Sequence, residues 1–461
     1  MEALVHNLKL SWFSIKRAPL PYALTLLILS LGLGTFFSNA TLYYWMNRDP
    51  LPEKSATLFM ARMNSTPGDC TECFEPPRVM SYMDMQKMSG SGITSAEAAM
   101  FSSDAYAKTV ENQQATPSQV ELRVTQRDFF KLFNVPFLHG EAWPDNKARM
   151  EVVISKNTAL KFFSRTDVVG QEMLIDDKLY KVIGVLNDWA MLPRLYDVNG
   201  RRSAEPAEDI YIPLETAYDL AIQSNTQNSY FDVDWDGNMA TYPQMARTNF
   251  ANQLQFWVQL DSPEKVQQYQ QFLKNLVADE KAAGRHQRPE GNKLDNILNV
   301  QKALRATNEQ LDAFALVASL FLLVCVVNAG HLSLNRYMAN QYEFSLRRAL
   351  GASRWQLQSQ IMADVLLSSA LAFAAALLFA QLGLWTINSL LPGTRALASW
   401  DWQMLGVMAL FVLLISYLVT LYPALSIVGL AVLVSVAETN FVKVPKSATI
   451  FSGSFSSNLM P

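Results

Sequence analysis

"AFALVASLFLLVCVVNAG", residues 313–330, carries no formal charge and sits in a longer uncharged stretch between Asp312 and Arg336. A helix needs about 20 consecutive apolar residues to cross the hydrocarbon of a bilayer. Three further stretches meet that requirement. "YALTLLILSLGLGTFF" lies between Arg17 and Arg48, and "VLLSSALAFAAALLFAQLGLW" between Asp364 and Arg395. "MLGVMALFVLLISYLVTLYPALSIVGLAVLV" lies between Asp401 and Glu438. One such run is compatible with a buried core helix. Four of them point to an α-helical membrane protein with four transmembrane helices. The 461-residue chain is 50% hydrophobic and 17% charged, whereas average globular chains are about 25% charged. Its net charge of -3 gives no global excess of the kind that binds nucleic acid.

The first run exceeds a signal peptide's apolar core of about 7–15 residues, and "GTFFSNATLYY" is a weak cleavage site, so it reads as an uncleaved anchor. Orientation follows from Lys and Arg near the spans. Lys9, Lys16 and Arg17 precede the first span; Arg336, Arg347, Arg348 and Arg354 lie between the second and third; Lys443 and Lys446 are in the tail. The loop between the third and fourth spans carries only Arg395. The expected order is a cytoplasmic amphipathic segment (1–17), a first helix (18–47), an outer domain with a stalk (48–311), and a second helix (312–335). A cytoplasmic coupling segment (336–360), a third helix (361–391), a fourth helix (402–437) and a cytoplasmic tail (438–461) follow. The interiors of the spans are expected to hold no Asp, Glu, Lys or Arg, which disfavours ion-coupled transport.

The outer domain reads as mixed α+β. "RMEVVIS", "KLYKVIGVL" and "QLQFWVQL" have strand composition. "SPEKVQQYQQFLKNLV" reads as a helix with Ser262 as N-cap and Pro263 at its first position. Val266, Tyr269, Leu273, Leu276 and Val277 form its apolar stripe. "LDNILNVQKALRATNEQL" reads as a second helix, a stalk running into the second span.

Little in this domain reads as catalytic. Cys70 and Cys73, in "GDCTECFEPP", lie on the oxidising side of this topology. A local structural disulfide is the leading reading, with free thiols and redox or metal chemistry as alternatives. Cys325 reads as a packing residue. His6, His139, His286 and His331 have no metal-ligand partner at helical spacing, so no metal site is expected. "DVDWDG", with Asp232, Asp234 and Asp236, begins like a calcium loop but lacks the terminal Glu and reads as a solvated turn. No nucleophile elbow, zinc-protease motif or Walker motif is present. The chain is therefore expected to be non-catalytic and to hold no cofactor of its own. If it works against a gradient, the energy must come from another subunit or from an ion.

"YEFSLRRALGASRWQLQSQI", 341–360, concentrates charge between two spans. Glu343 and Arg347 are four apart in the favourable order, and Arg347 and Arg348 complement a helix C-terminus. Gly351 can take the left-handed conformation that ends a helix. Ser353 then caps the next one, with Gln356 completing a capping box. Such a helix pair can grip lipid phosphate, read DNA or dock a protein. Membrane flanks leave no free DNA-reading domain, and Phe344 and Trp355 suit insertion into a protein groove.

Three segments in order, "VTQRDFFKLFNVPFLHGEAW" (124–143), "EVVISKNTALKFFSRTDVVGQEMLIDDKLYKVIGVLND" (151–188) and "DIYIPLETA" (209–217), resemble the periplasmic core domain of MacB-type permeases. These are also called FtsX-like ABC transporter permeases. In the second segment a strand, short helix, V-G-Q turn, hairpin and "VIGV" strand succeed one another. "NRYMANQYEFSLRRALGASRWQLQSQIMADVLL" resembles the family's segment between the second and third spans, with Glu343, Arg348, Gly351 and Ala352 on its E…R-x-x-G-A pattern. "LYPAL" resembles the end of the fourth span.

The resemblance implies a homodimer or pseudo-dimer bound to two cytoplasmic ATPase subunits, which would hold the ATP and Mg. Glu343, Phe344, Arg347, Arg348, Gly351, Ser353 and Trp355 then become the ATPase-docking segment. The family's fused ATPase domain is absent here, so a separate ATPase is expected. The apolar "SIVGLAVLVSVAE" after Pro423 departs from the family's basic ending. The expected function is an exporter permease in a bacterial inner membrane, moving an amphiphilic cargo such as a peptide or antibiotic. A periplasmic adaptor and an outer-membrane duct are expected partners. A lipoprotein-releasing permease and an FtsX-like signalling subunit controlling a periplasmic partner are the alternatives. If Cys70 and Cys73 are bonded, Cys70→Ser will abolish a non-reducing mobility or mass difference seen in the wild type; a wild type without that difference excludes the bond.

Overall fold

The computed structural model describes residues 2–65, 75–110, 116–197, 207–225, 229–230, 247, 251–286, 292–390 and 400–419, apart from 18, 190, 192, 307, 308, 340, 352 and 401. Cys70, Cys73, Asp232, Asp234, Asp236 and the tail after Val419 lie outside the described residues. Two compact units emerge, one built on Met1–Ser38, Leu316–Gly383 and the described residues from Trp400 on, the other on Asn39–Ala315 and the described residues from Leu384 to Leu390.

The first unit is helical. Among the described residues, four helical stretches are long and apolar enough to cross a membrane: Pro19–Trp45, Asp312–Ala339, Gln356–Thr386 and Trp402–Val419. The first and third pack through small residues. A Cβ on Gly34 would lie 2.4 Å from the Phe379 Cβ and 3.0 Å from the Ala376 carbonyl oxygen. Ala376 and Ala380 are fully buried, and the Ser38 hydroxyl donates to the Ala380 carbonyl at 3.1 Å. Small side chains let two backbones approach where no hydrophobic effect drives helices together. Cys325 is a buried free thiol; a Cβ on Gly32 would meet its Cβ at 2.6 Å.

The second unit is a mixed α/β domain whose described residues form twelve strands: β1 (Leu58–Arg62), β2 (Ala96–Thr109), β3 (Ser118–Thr125), β4 (Phe137–Gly140), β5 (Glu151–Ile154), β6 (Glu172–Ile175), β7 (Lys178–Leu186), β8 (Ile210–Pro213), β9 (Ser229–Tyr230), β10 (Ala251–Asn252), β11 (Gln255–Gln259) and β12 (Lys293–Asn296). β9 and β10 form a small pair; the others make one sheet in the order β12-β1-β11-β2-β3-β8-β5-β7-β4, with β6 bridging β2 and β7. β3 with β8 and β5 with β7 run parallel.

Both faces of this sheet are covered, which is why β1, β8 and β11 read as apolar runs and do not alternate. Phe59, Ala99, Val152, Phe256 and Val258 face one core. Leu58, Ala98, Val153, Tyr211 and Trp257 face the other, with Phe129, Phe130 and Phe133. Helix Pro263–Ala282 closes the first face. Ser262 Oγ accepts from Lys265 N, proline stands in its first turn, and Tyr269, Leu273 and Val277 are buried. The β6–β7 hairpin turns on Asp176 and Asp177, with φ of 45° and 62°, positive as tight hairpin turns require.

One expectation needs correction. Residues 293–296 are a strand, not the start of the stalk helix, because they pair antiparallel with the edge of β1. The helix begins at Ile297, where Asn296 Oδ1 accepts from Asn299 N at 2.8 Å. Nearby, Gln301 Nε2 donates to the Arg48 carbonyl oxygen at 2.9 Å, joining the two ends of the domain.

Charge is also buried here. Arg123 points from β3 into the second core, fully buried. It is ion-paired with Glu208 and, at 3.1 Å, with Asp197. Arg194 reaches Glu121 at 2.8 Å and Glu208 at 3.2 Å. Tyr196 OH donates to Glu208 at 3.0 Å. Burial alone would raise the Glu208 pKa, but Arg123 and Arg194 hold it well below the usual carboxylate value. Removing one partner from such a buried network costs about 3–5 kcal/mol. It fastens the segment between β7 and β8 to the sheet.

His286 Nε2 lies 2.8 Å from Asp84 Oδ1, while Glu280 pairs with Lys87 at 2.5 Å and with Arg285. Burial disfavours the imidazolium, but Asp84 and Glu280 outweigh it and raise the His286 pKa above its ordinary 6.5. A raised folded-state pKa stabilises fully below the unfolded value, and that contribution is lost as pH rises through the folded value. Thermal stability of the full chain in detergent is therefore expected to fall as pH rises from about 6 through the raised His286 value. Asp84→Asn will flatten that slope.

Candidate functional site

The segment between the second and third spans folds as a helix, a turn and a helix. Gln341–Ala349 is helical, and Arg354 begins a helix that runs to Leu390. Gly351, at φ +99°, makes the reversal. Ser353 N donates to Gln356 Oε1 at 2.9 Å and Gln356 N donates to Ser353 Oγ at 3.2 Å, a reciprocal capping box.

Arg347 has a bracing role. It pairs with Glu343 one turn back on its own helix, and its other nitrogen donates to Gln360 Oε1 of the next helix at 2.6 Å. The two arms of the elbow are thereby tied together. Phe344 and Arg348 lie on the first helix and Trp355 on the second, but their side chains are outside the described residues. Exposed apolar surface comes from residues that sequence reasoning passed over. Tyr342 and Leu350 are each 80% exposed and Leu346 is 46% exposed. Their four-residue spacing puts all three on one face, and that spacing was the available signal.

Beneath the elbow lies a buried polar cluster. Arg336 and Asp364 pair at 3.0 Å, with side chains 5% and 11% exposed. Tyr337 OH donates to the same carboxylate oxygen at 2.9 Å and Tyr22 OH to the other at 3.2 Å. The Arg336 guanidinium stacks 4.0 Å from the centre of the Tyr22 ring. Ser14 lies 3.2 Å from the Tyr22 hydroxyl, and Asn7 Nδ2 donates to Ser359 Oγ at 3.1 Å. The expectation of spans free of acids and bases is therefore corrected. Arg336 is no loop charge, and Asp364 is interior to the third helix. Each escaped notice by standing at the end of an uncharged run, and only the fold brings them together. Arg347, Arg348 and Arg354 remain as the basic residues of the loop.

A model of the MacB-like periplasmic core domain matches residues 22–276, and a model of the FtsX-like permease C-terminal region matches residues 315–432. The chain belongs to the MacB-type, FtsX-like permease family. The mixed α/β domain is thus the extracytoplasmic domain of an ABC-type permease, and the elbow lies inside the FtsX-like region.

Among solved structures, the periplasmic region of MacB from Actinobacillus actinomycetemcomitans is 11% identical, over 55% of this chain and 95% of that one, with a TM-score of 0.34. The extracellular domain of the noncanonic ABC-type transporter YknZ from Gram-positive bacteria is 16% identical, over 52% of this chain and 100% of that one, with a TM-score of 0.32. A permease-protein domain from Porphyromonas gingivalis is 13% identical, over 52% of this chain and 91% of that one, with a TM-score of 0.32. No curated protein matches.

Elsewhere among the described residues, carboxylates gather at Asp84, Glu280 and His286, and at Glu121, Asp197 and Glu208. Lys87 and Arg285 pair with Glu280, His286 with Asp84, and Arg123 and Arg194 with Glu121, Asp197 and Glu208, so each of these carboxylates already has a partner within the protein.

Asp364→Asn leaves Arg336 buried without a counter-charge. It is expected to lower stability in detergent by about 3–5 kcal/mol, read as a fall in thermal midpoint. Arg336→Met combined with Asp364→Leu will recover most of that loss.

Proposed function

We propose that this chain is the permease subunit of an ABC exporter and that helix Gln341–Ala349 is its contact with a separate cytoplasmic ATPase. The observation that carries the reading is the exposed Tyr342–Leu346–Leu350 face on a short helix tied to the next one through Arg347 and Gln360. Burying a leucine contributes about 1.5–3 kcal/mol, so a groove accepting this face gains affinity from it. Glu343 and Arg347, at its edge, are half to two-thirds buried and paired with each other, and they orient the helix more than they bind.

The bracing supplies the coupling. A displacement of the short helix is passed through Arg347 and Gln360, and through the Ser353–Gln356 box, to a helix that continues without a break to Leu390. The partner would supply two ATPase copies with their ATP and Mg, and a second permease would complete the assembly. In a bacterial inner membrane, the outer domain would convert that motion into expulsion of an amphiphilic cargo such as a peptide or antibiotic. A periplasmic adaptor and outer-membrane duct would carry the cargo on.

Leu346→Glu with Leu350→Glu tests the contact. Both side chains are exposed, so insertion and thermal midpoint will stay at wild-type values. Co-purification of the ATPase from native membranes is expected to fall about tenfold or more, equivalent to about 1.4 kcal/mol or more. Undiminished co-purification would overturn the reading.

A further inference from the structure

We propose that the N-terminal helix Glu2–Arg17 binds anionic phospholipid headgroups through a face formed by Lys9, Trp12, Phe13 and Lys16. The helix is built inside out relative to a soluble one. Asn7, Ser11 and Ser14, spaced to fall on one face, are its inward residues: Ser11 is 3% exposed, Asn7 donates to Ser359, and Ser14 meets Tyr22. On the opposite face, Lys9, Trp12, Phe13 and Lys16 follow i, i+3, i+4, i+7 spacing, and all four are exposed. Trp12 is 45% and Phe13 59% exposed.

Three features select lipid as the occupant. The first is position: the helix ends at Arg17 and the first span begins at Pro19, so covalent geometry holds it at the headgroup level. The second is chemistry. Two aromatic rings between lysines match a boundary that is apolar on one side and anionic on the other, and the Lys16 ammonium lies 5.6 Å over the Trp12 ring. The third is charge. Lys9, Lys16 and Arg17 stand against a single acidic residue, Glu2, at the far end. The hydrogen bonds from Asn7 and Ser14 fix the helix's rotation, so the basic aromatic face is presented and does not roll. This inference is independent of the ATPase contact.

The test compares amide hydrogen exchange of residues 2–17 in the full chain, in nanodiscs of phosphatidylcholine alone or mixed with phosphatidylglycerol. Exchange is expected to slow about threefold or more with the anionic lipid. Raising salt, or the pair Lys9→Gln and Lys16→Gln, will remove the difference, while exchange of β2 and β3 stays constant as the folding control. Equal exchange in the two lipids would overturn the proposal. So would a difference that survives both substitutions, one that free inorganic phosphate reproduces, or protection that requires a second protein.

Discussion

A guanidinium and a carboxylate buried among apolar helices impose a condition that the rest of the helical unit must satisfy. Neither charge is tolerable alone in such surroundings. Here each oxygen of Asp364 is engaged, one by Arg336 and Tyr337 and the other by Tyr22. The second and third helices must therefore keep a fixed register, because sliding either by a turn would strand a charge, and sliding the first would cost Asp364 the hydrogen bond from Tyr22. The elbow hangs between Arg336 and Asp364, so its two ends are anchored to one electrostatic point. A short exposed helix fastened in this way can act as a handle on a rigid lever.

The extracytoplasmic domain solves a related problem with different means. Its sheet has apolar packing on both faces, so the segment between β7 and β8 can be held only by what the second core accepts. Arg123 and Arg194 meet it with two arginines against Glu121, Asp197 and Glu208. Trp189 stacks on Tyr196 at an interplanar angle of 18° to seal the approach. Both units thus place buried ion pairs where chain segments remote in sequence have to be registered. That use fits the view that such pairs specify geometry more than they add stability.

Much of this architecture could be read before the fold was seen, and the reasons differ by element. The spans are legible because hydrocarbon thickness sets a length that chance composition rarely meets. Helix Pro263–Ala282 announces itself through local chemistry at Ser262 and Pro263, whereas the β6–β7 hairpin was legible through the family resemblance of its segment. The elbow's capping box is equally local. β2 is the opposite case. "AEAAMFSSDAYAKT" is poor in the residues strands favour, yet it becomes a fourteen-residue strand because β11, β3 and β6 all pair with it. Small side chains there let both cores close over it. The Arg336–Asp364 pair and the Tyr342–Leu346–Leu350 face were hidden for the same reason: exposure and pairing belong to the tertiary structure, and aromatic residues such as Phe344 draw the eye first.

β1 lies near the beginning of the outer domain, yet its two neighbours, β11 and β12, begin only at Gln255 and Lys293. The bond from Gln301 to Arg48 closes the same circuit. A chain made from its N-terminus therefore delivers "LFMAR" long before any partner strand exists. Pairing at such sequence separation is slow, and an unpaired apolar strand invites wrong neighbours. The native sheet can be sealed only after nearly the whole domain has emerged, which makes its completion a late event in biogenesis and ties it to the arrival of the segment that leads into the second span.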